Sequence, residues 1–155
     1  MAEPSSERHH RVLIVGGGSA GITVAAQLLR ARPGLDVAIL EPATVHEYQS
    51  GWIPAGAGLL PLASTHRPEA SVIPPGACWI QGSAIRFEPE AQRLITATGE
   101  VLRYDALVVA IGLQLDWDRI KGLPEALGQH GIVSTYSHDH ITATWAAIRG
   151  FQGGT

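Results

Sequence analysis

Three glycines that follow an apolar run have the spacing of a site for a diphosphate. Gly16, Gly18 and Gly21 come directly after apolar residues 12–15, and Glu41 stands twenty residues after Gly21. The first glycine permits a sharp turn, the second lets the backbone approach the phosphates, and the third lets a helix pack closely on a strand. The N-terminus of that helix offers unpaired N–H groups to an anion. An acid at the position of Glu41 bonds ribose hydroxyls, so the spacing predicts binding of the adenosine diphosphate half of a dinucleotide.

The elements that would position these residues form a β-α-β unit. Residues 11–15 are nearly all apolar, as expected of a strand covered on both faces. Residues 20–31 carry apolar side chains at helical spacing, and the Pro33-Gly34 pair ends that helix. Residues 37–40 are a second apolar run, which predicts a second buried parallel strand ending at Glu41. The predicted fold class is therefore α/β and Rossmann-like.

The rest of the chain predicts a small antiparallel β-meander and a later helix. Residues 42–76 are a long, loosely patterned excursion with a short helix expected near residues 67–73. Strands are expected over residues 78–87, 92–97 and 101–104, with turns between them, followed by a buried strand over residues 104–112. A helix is expected from about residue 139 to 149.

This pattern predicts three stretches along the chain. Residues 1–10 are expected to be a flexible lead-in, residues 11–122 a Rossmann-type domain that binds a dinucleotide, and residues 123–155 the start of a further, incomplete domain. The closing glycine pair usually leads into a new strand, so we expect the fold to be truncated before completion.

The bulk composition excludes several classes of function. The net charge of −3 gives no electrostatic reason to expect a nucleic-acid partner. No apolar run approaches the roughly 20 residues that span a bilayer. Cys78 is the only cysteine, so no intrachain disulfide is possible, and its apolar surroundings predict a buried, inert thiol. His138 and His140 invite a metal interpretation, but the sequence offers no third ligand nearby, so no metal site is predicted.

The glycine fingerprint and the strand Tyr104–Gly112 resemble those of flavoproteins with two dinucleotide-binding domains. Several other stretches are similar specifically to the sulfide:quinone oxidoreductases shared by bacteria and mitochondria. The resemblance runs from about residue 9 to the end of the chain and is carried by residues 46–49 (HEYQ), 67–68 (RP), 72–74 (VIP), 112–116 (GLQLD), 121–124 (KGLP), 134–137 (STYS) and 144–145 (TW).

The resemblance implies that residues 11–122 form an FAD-binding domain and that residues 123–155 begin a second, nucleotide-binding-like domain. It also suggests which residues hold FAD. Ser19 and Ala20 would contact the pyrophosphate through backbone amides, and Glu41 would hold the adenosine ribose. Three later positions are also implied. Gln49 would reach the flavin nucleotide, Ala84 would meet the adenine through its backbone, and Gly112 would approach FAD at the end of its strand.

The resemblance also implies an activity that this chain cannot perform by itself. The family oxidises sulfide at a pair of redox cysteines beside the flavin and passes electrons to a membrane quinone. Those cysteines and the membrane-docking segment lie further along the chain in the family, so no catalytic residue is assigned here and the chain alone is expected to be inactive.

Two alternative functions remain open, and the resemblance also implies a cellular location. The chain could instead be part of a related NADH:quinone or ferredoxin-type reductase, or a non-catalytic FAD-binding fragment. We expect a cytoplasmic protein, peripheral on the inner membrane, if it is bacterial, and a mitochondrial one if it is eukaryotic. The sequence does not indicate an oligomeric state.

Overall fold

A computed structural model of the chain describes residues 7–153. The strands are β1 (Glu7–Val15), β2 (Val37–Leu40), β3 (Val45–Glu47), β4 (His66–Pro68), β5 (Ala77–Ile80), β6 (Ala84–Glu88), β7 (Arg93–Thr96) and β8 (Val101–Val109). The α-helices are α1 (Ser19–Ala31), α2 (Trp52–Gly56), α3 (Leu123–Ala126) and α4 (Ile141–Gly150). One-turn 3₁₀ helices cover Gln49–Gly51, Leu62–Thr65, Glu69–Ser71, Pro89–Ala91, Trp117–Arg119 and His138–His140.

The chain divides into two compact units. The first consists of the residues up to His46 together with Pro68–Gly112, and the second of Glu47–Arg67 together with the residues from Leu113 onward. The predicted division, with residues 123–155 beginning a second nucleotide-binding-like domain, stays a prediction.

A six-stranded sheet in the order β5-β2-β1-β8-β7-β6 forms the first unit. The neighbours β5, β2, β1 and β8 are parallel, whereas β6, β7 and β8 form an antiparallel meander. The predicted α/β, Rossmann-like fold with a small meander is therefore confirmed. One difference is that the strands expected at residues 101–104 and 104–112 are a single strand, β8, because β8 pairs with β1 along its whole length while its first residues also pair with β7.

Alternate residues of β1 point to opposite faces of the sheet and enter separate cores. Leu13 and Val15 pack on one face with Leu40 and Leu102, whereas Ile14 packs on the other face with Ala25 of α1. Leu13 and Ile14 are completely buried. This burial on both faces explains why the strand reads as an uninterrupted apolar run.

The predicted flexible lead-in is wrong for residues 7–10. These residues belong to β1 and pair in register with residues 101–104 of β8. Their polar side chains find ionic partners instead of a core: Glu7 pairs with Arg103, and Arg8 pairs with Glu100. Residues 1–6 of the predicted lead-in lie outside the described residues.

Two further expectations about strands are corrected. The strand expected over residues 78–87 is two strands, and the first of them, β5, pairs parallel with β2 rather than joining the meander. Cys78 in β5 is exposed, not buried, because β5 is the edge strand and Cys78 has a neighbouring strand on one side only. The second half of β8 is only partly buried, with Val109 55% exposed, because the described residues cover neither of its faces completely.

The second unit is mainly helical. Trp52 and Ala55 of α2 pack against Ile141 of α4 in a small apolar core. The helix expected over residues 139–149 is confirmed as α4, with the one-turn helix His138–His140 immediately before it. None of the described helices has both the length and the apolar character needed to cross a membrane.

Candidate nucleotide-binding site

The glycine loop joins the end of β1 to the start of α1. Gly18 is the residue before the first turn and has extended backbone angles (φ −67°, ψ 178°), and no side chain caps the helix there. The first turn of α1 contains no acidic residue. The N–H groups at the start of an α-helix have no partner within the helix. The uncapped N–H groups and the positive end of the helix dipole therefore lie at the exposed start of α1, around Gly18, Ser19 and Ala20.

The three glycines of the fingerprint meet different surroundings. Gly16 has φ +110°, and a Cβ there would overlap the carbonyl oxygen of Ala110. A Cβ on Gly21 would overlap the carbonyl oxygen of Gly16. By contrast, a Cβ on Gly18 would meet nothing within 4 Å. Gly16 and Gly21 are therefore required by the protein's own packing, whereas Gly18 borders open space.

Glu41 fixes the loop from the end of β2. Its Oε2 accepts a hydrogen bond from the Gly17 amide at 2.7 Å, and its Oε1 accepts one from the Ala43 amide at 2.7 Å. Its own carbonyl oxygen accepts a hydrogen bond from the Trp79 indole at 3.0 Å. A carboxylate has about four lone-pair positions, so Glu41 keeps acceptor capacity for a ligand hydroxyl.

A cavity of about 360 Å³ opens beside this loop in the first unit. It brings together Gly16 from the loop, Glu41 from the end of β2 and Ala84 from the start of β6. Its other lining residues include Pro42, Gly82 and Phe87. The wall is more apolar than polar, as suits a heterocyclic base beside a few directing polar groups.

The remaining predicted site residues lie elsewhere. Gly112 follows the end of β8 with φ +73°, is exposed, and is not among the residues that line the cavity. Gln49 is the first residue of a 3₁₀ helix in the second unit, and its side chain is exposed. The structure thus gathers Gly16, Glu41 and Ala84 around one cavity, but it does not place Gln49 or Gly112 there.

The sequence analysis did not predict that Glu69 and His46 lie beside this loop. Glu69 is 1% exposed, and a Cβ on Gly17 would overlap its Oε1, so this carboxyl group lies directly beside the loop. His46 Nδ1 lies 3.2 Å from the Gly17 carbonyl oxygen and 3.5 Å from Glu69 Oε2. Glu69 stands 28 residues after Glu41 on a separate one-turn helix, and no local pattern indicates that it returns to the loop.

Burial raises the pKa of the Glu69 carboxyl above its ordinary value. The positive charge of a protonated His46 lowers this pKa, and the nearby Glu41 raises it, but burial has the largest effect. Oε1 of Glu69 is buried and has no hydrogen-bond partner. A protonated Glu69 avoids placing a second buried negative charge beside the Glu41 carboxylate.

The sequence argument against a metal near His138 needs correction. In the second unit, His138 lies close to Glu47 and His66, two residues with suitable ligand atoms, whereas His140 instead forms a hydrogen bond with Ser137. Both partners are distant in sequence from His138, so a search restricted to neighbouring residues could not find them.

Replacing Gly21 with alanine should destabilise the first unit, because the added methyl group overlaps the Gly16 carbonyl oxygen. We expect a loss of about 1–3 kcal/mol, the usual cost of overpacking. Gly18→Ala is the matched control and should change stability by no more than about 0.5 kcal/mol, as at an open surface site. Urea unfolding of both variants without ligand measures the difference, and equal stabilities would contradict this account of the loop.

Glu69→Gln should change the pH dependence of stability. Because the folded pKa of Glu69 is raised, the native state holds a proton that the unfolded state has released between the ordinary and the raised pKa. The contribution of Glu69 to stability is therefore present at low pH and is lost as the pH rises through the folded pKa. The stability of Glu69→Gln relative to the parent should increase with pH over that window. Urea unfolding from pH 4 to 8 tests this, and a constant difference would contradict it.

Comparison with known proteins assigns the chain to a family. Residues 10–145 match the model of the pyridine nucleotide-disulphide oxidoreductases. The chain is 39% identical over 150 residues to the mitochondrial sulfide:quinone oxidoreductase of Mus musculus, covering 97% of this chain and 33% of the relative. It is also 39% identical over 145 residues to the corresponding protein of Dictyostelium discoideum, covering 93% of this chain and 32% of the relative.

A solved structure shares the fold. The X-ray structure of the sulfide:quinone oxidoreductase of Aquifex aeolicus superimposes with a TM-score of 0.64 and 22% identity, covering 92% of this chain and 32% of that one. The chain thus spans about a third of the length of the relatives it matches. The resemblance inferred from the sequence is confirmed by these relatives, and the chain belongs to the pyridine nucleotide-disulphide oxidoreductase family.

Proposed function

We propose that this chain forms the FAD-binding amino-terminal part of a sulfide:quinone oxidoreductase. The observation that carries the proposal is the 39% identity to mouse sulfide:quinone oxidoreductase over almost the whole chain. The substrates of the complete enzyme are then sulfide and a quinone. The chain's share of that function is to hold and orient the cofactor, since the protein contributes binding and electrostatics while the cofactor supplies the electron chemistry.

The glycine loop suits the diphosphate of FAD. Gly18 borders open space at the uncapped N-terminus of α1, so backbone amides of Ser19 and Ala20 can approach an anion without steric hindrance. The tight contacts at Gly16 and Gly21 hold that helix end against β1. These features support a diphosphate position at the loop, and the positive end of the helix dipole stabilises its charge.

The cavity beside the loop suits the adenosine half. Glu41 is held by the Gly17 and Ala43 amides and retains lone pairs for the ribose hydroxyls. Ala84 lines the same cavity and would meet the adenine through its backbone. The assignments of Gln49 and Gly112 to the flavin half rest on the resemblance to the family alone.

The reaction itself needs groups beyond those of this chain. Cys78 is exposed on an edge strand, and the chain offers no second cysteine to form a redox pair. Sulfide oxidation therefore takes place at cysteines supplied by the remainder of the enzyme, which also supplies the peripheral contact with the membrane. The location that follows is the bacterial inner membrane, on its cytoplasmic side, or the mitochondrion in a eukaryote. No nucleic-acid partner is proposed.

Replacing Glu41 with alanine should weaken FAD binding by the full-length protein. Losing a hydrogen bond to a charged group costs about 1.5–3 kcal/mol, which corresponds to a rise in Kd of roughly 10- to 150-fold. Flavin fluorescence during dialysis of the purified protein measures retention. Glu90→Ala is the control, since Glu90 is exposed and lies outside the cavity.

Glu41→Gln separates the two roles of the carboxylate. The glutamine amide oxygen can still accept the Gly17 hydrogen bond but loses the charge and one acceptor. We expect intermediate retention of FAD with normal unfolding by urea. Unchanged retention in both Glu41 variants would contradict the ribose assignment.

A purified full-length protein should reduce a soluble quinone when sulfide is added. The 155-residue chain alone should not do so, because it lacks a cysteine pair. Quinone absorbance followed with sulfide and, separately, with NADH distinguishes the proposed enzyme from a related NADH:quinone reductase. Reduction that depends on NADH and not on sulfide, or sulfide-dependent turnover by the isolated chain, would overturn the proposal.

A further inference from the structure

Three potential metal ligands converge in the second unit. Glu47 is the last residue of β3, His66 is the first residue of β4, and His138 begins the one-turn helix before α4. One carboxylate oxygen and one ring nitrogen from each histidine lie within 4.8 Å of one another. The chain thus brings together residues from two separate parts of the sequence, neither of which contributes to the nucleotide cavity.

Two of these ligand atoms are buried without a partner. Glu47 Oε2 and His138 Nε2 are inaccessible to solvent, and neither forms a hydrogen bond with any group in the described structure. A buried polar atom without a partner is costly, and a buried carboxylate oxygen especially so. Because both residues belong to the cluster, a cation bound there would satisfy these two atoms.

The hydrogen bond of His138 with Asp139 favours the tautomer that binds a metal. Its Nδ1 lies 3.3 Å from Asp139 Oδ1, so Nδ1–H donates to that carboxylate and Nε2 carries the free lone pair. A metal-binding histidine usually donates its other N–H to a carboxylate or carbonyl oxygen in this way, which fixes the ring and raises its basicity.

The rings around His138 restrict its orientation. The Trp52 ring lies 5.9 Å from the His138 ring, and the His66 ring lies 6.0 Å away in an edge-on arrangement. Trp52 is buried, whereas His66 is exposed and can adjust its side chain. The site therefore has two half-buried ligands, Glu47 and His138, and an exposed third, His66, that can close on the ion from the solvent side.

We propose that Glu47, His66 and His138 bind one divalent transition-metal ion of the zinc class. Two imidazoles and one carboxylate match a zinc site with three protein ligands and a water in the fourth position. Zinc binds such ligands at about 2.0–2.2 Å, so a contraction of the 4.8 Å cluster by roughly an ångström completes the site. Mg²⁺ is disfavoured, because it prefers oxygen ligands and retains its waters.

The ion would act as a cross-link within the second unit. It joins Glu47 and His66, in the segment of residues 47–67, to His138, just before α4 in the segment from residue 113 onward. These are the same two segments whose helices α2 and α4 share the small apolar core around Ile141. Metal binding therefore stabilises the packing of that core.

Titration of the purified, tag-free full chain with Zn²⁺, after removal of metals with a chelator, tests the proposal. We expect one Zn²⁺ per chain by calorimetry, a rise in the thermal unfolding temperature, and no such rise with Mg²⁺. Co²⁺ should bind with the visible absorption of a four-coordinate ion. Absence of saturable binding, or an equal response to Mg²⁺, would overturn the proposal.

Variants locate the ion. His138→Gln, His66→Gln and Glu47→Gln should each weaken Zn²⁺ binding at least tenfold. His140→Gln is the matched control, because His140 is two residues from His138 but bonds Ser137 and lies outside the cluster. Circular dichroism establishes that each variant is folded, and Glu47→Gln, which keeps the shape of the side chain, guards against a folding defect. Unchanged binding in the folded ligand variants, or an equal loss in His140→Gln, would overturn the assignment.

Discussion

The first unit depends on one close approach of backbone to backbone. Gly21, in the first turn of α1, lies so near the carbonyl oxygen of Gly16 that no side chain fits between them. The Gly16 amide in turn donates to the Leu40 carbonyl oxygen at 2.9 Å, and the Gly17 amide donates to Glu41. The end of β1, the start of α1 and the end of β2 are therefore held together by two main-chain contacts and by one hydrogen bond to the Glu41 carboxylate. An anion site made of backbone amides needs this rigidity, because the donors must already point at the ligand.

Two carboxyl groups, Glu41 and Glu69, lie beside a loop that is suited to an anion. Their surroundings reduce the repulsion that they would otherwise exert on that anion. Glu41 accepts two amide hydrogen bonds, so its charge is balanced by donors from the loop and from Ala43. Glu69 has an oxygen with no hydrogen-bond partner, and burial raises its pKa. The raised pKa favours the neutral form of Glu69, which would occupy the space beside Gly17 without a charge that repels a diphosphate. His46 opposes the rise that burial causes in the pKa of Glu69, and its Nδ1 also lies within hydrogen-bond distance of the Gly17 carbonyl oxygen. It therefore connects Glu69 to the loop.

The sequence predicted the parts of the structure that depend on local patterns. The glycine spacing, the two apolar runs and the helix between them located β1, α1, β2 and Glu41, because each signal lies within a few residues of the element it describes. It did not reveal that residues 7–10 extend β1, because their stability comes from pairing with β8 and from ionic partners almost a hundred residues away. It misjudged Cys78, since burial depends on the position of β5 at the edge of the sheet. Glu69 and the neighbours of His138 were missed for the same reason: only the tertiary fold brings them to their sites.

The glycine loop and the cluster of Glu47, His66 and His138 differ in the groups that would bind their ligands. At the glycine loop the proposed donors are backbone amides, so ligand binding would depend on the shape of the chain, which a methyl group added at Gly16 or Gly21 would disturb. At Glu47, His66 and His138 the donors are side chains, and the cost is the two buried atoms without partners. An ion there would join His66 and His138, which are 72 positions apart, and would satisfy those atoms. Because the three ligands meet only in the folded chain, the free energy of metal binding would add to the stability that the small apolar core of Trp52, Ala55 and Ile141 supplies to the second unit.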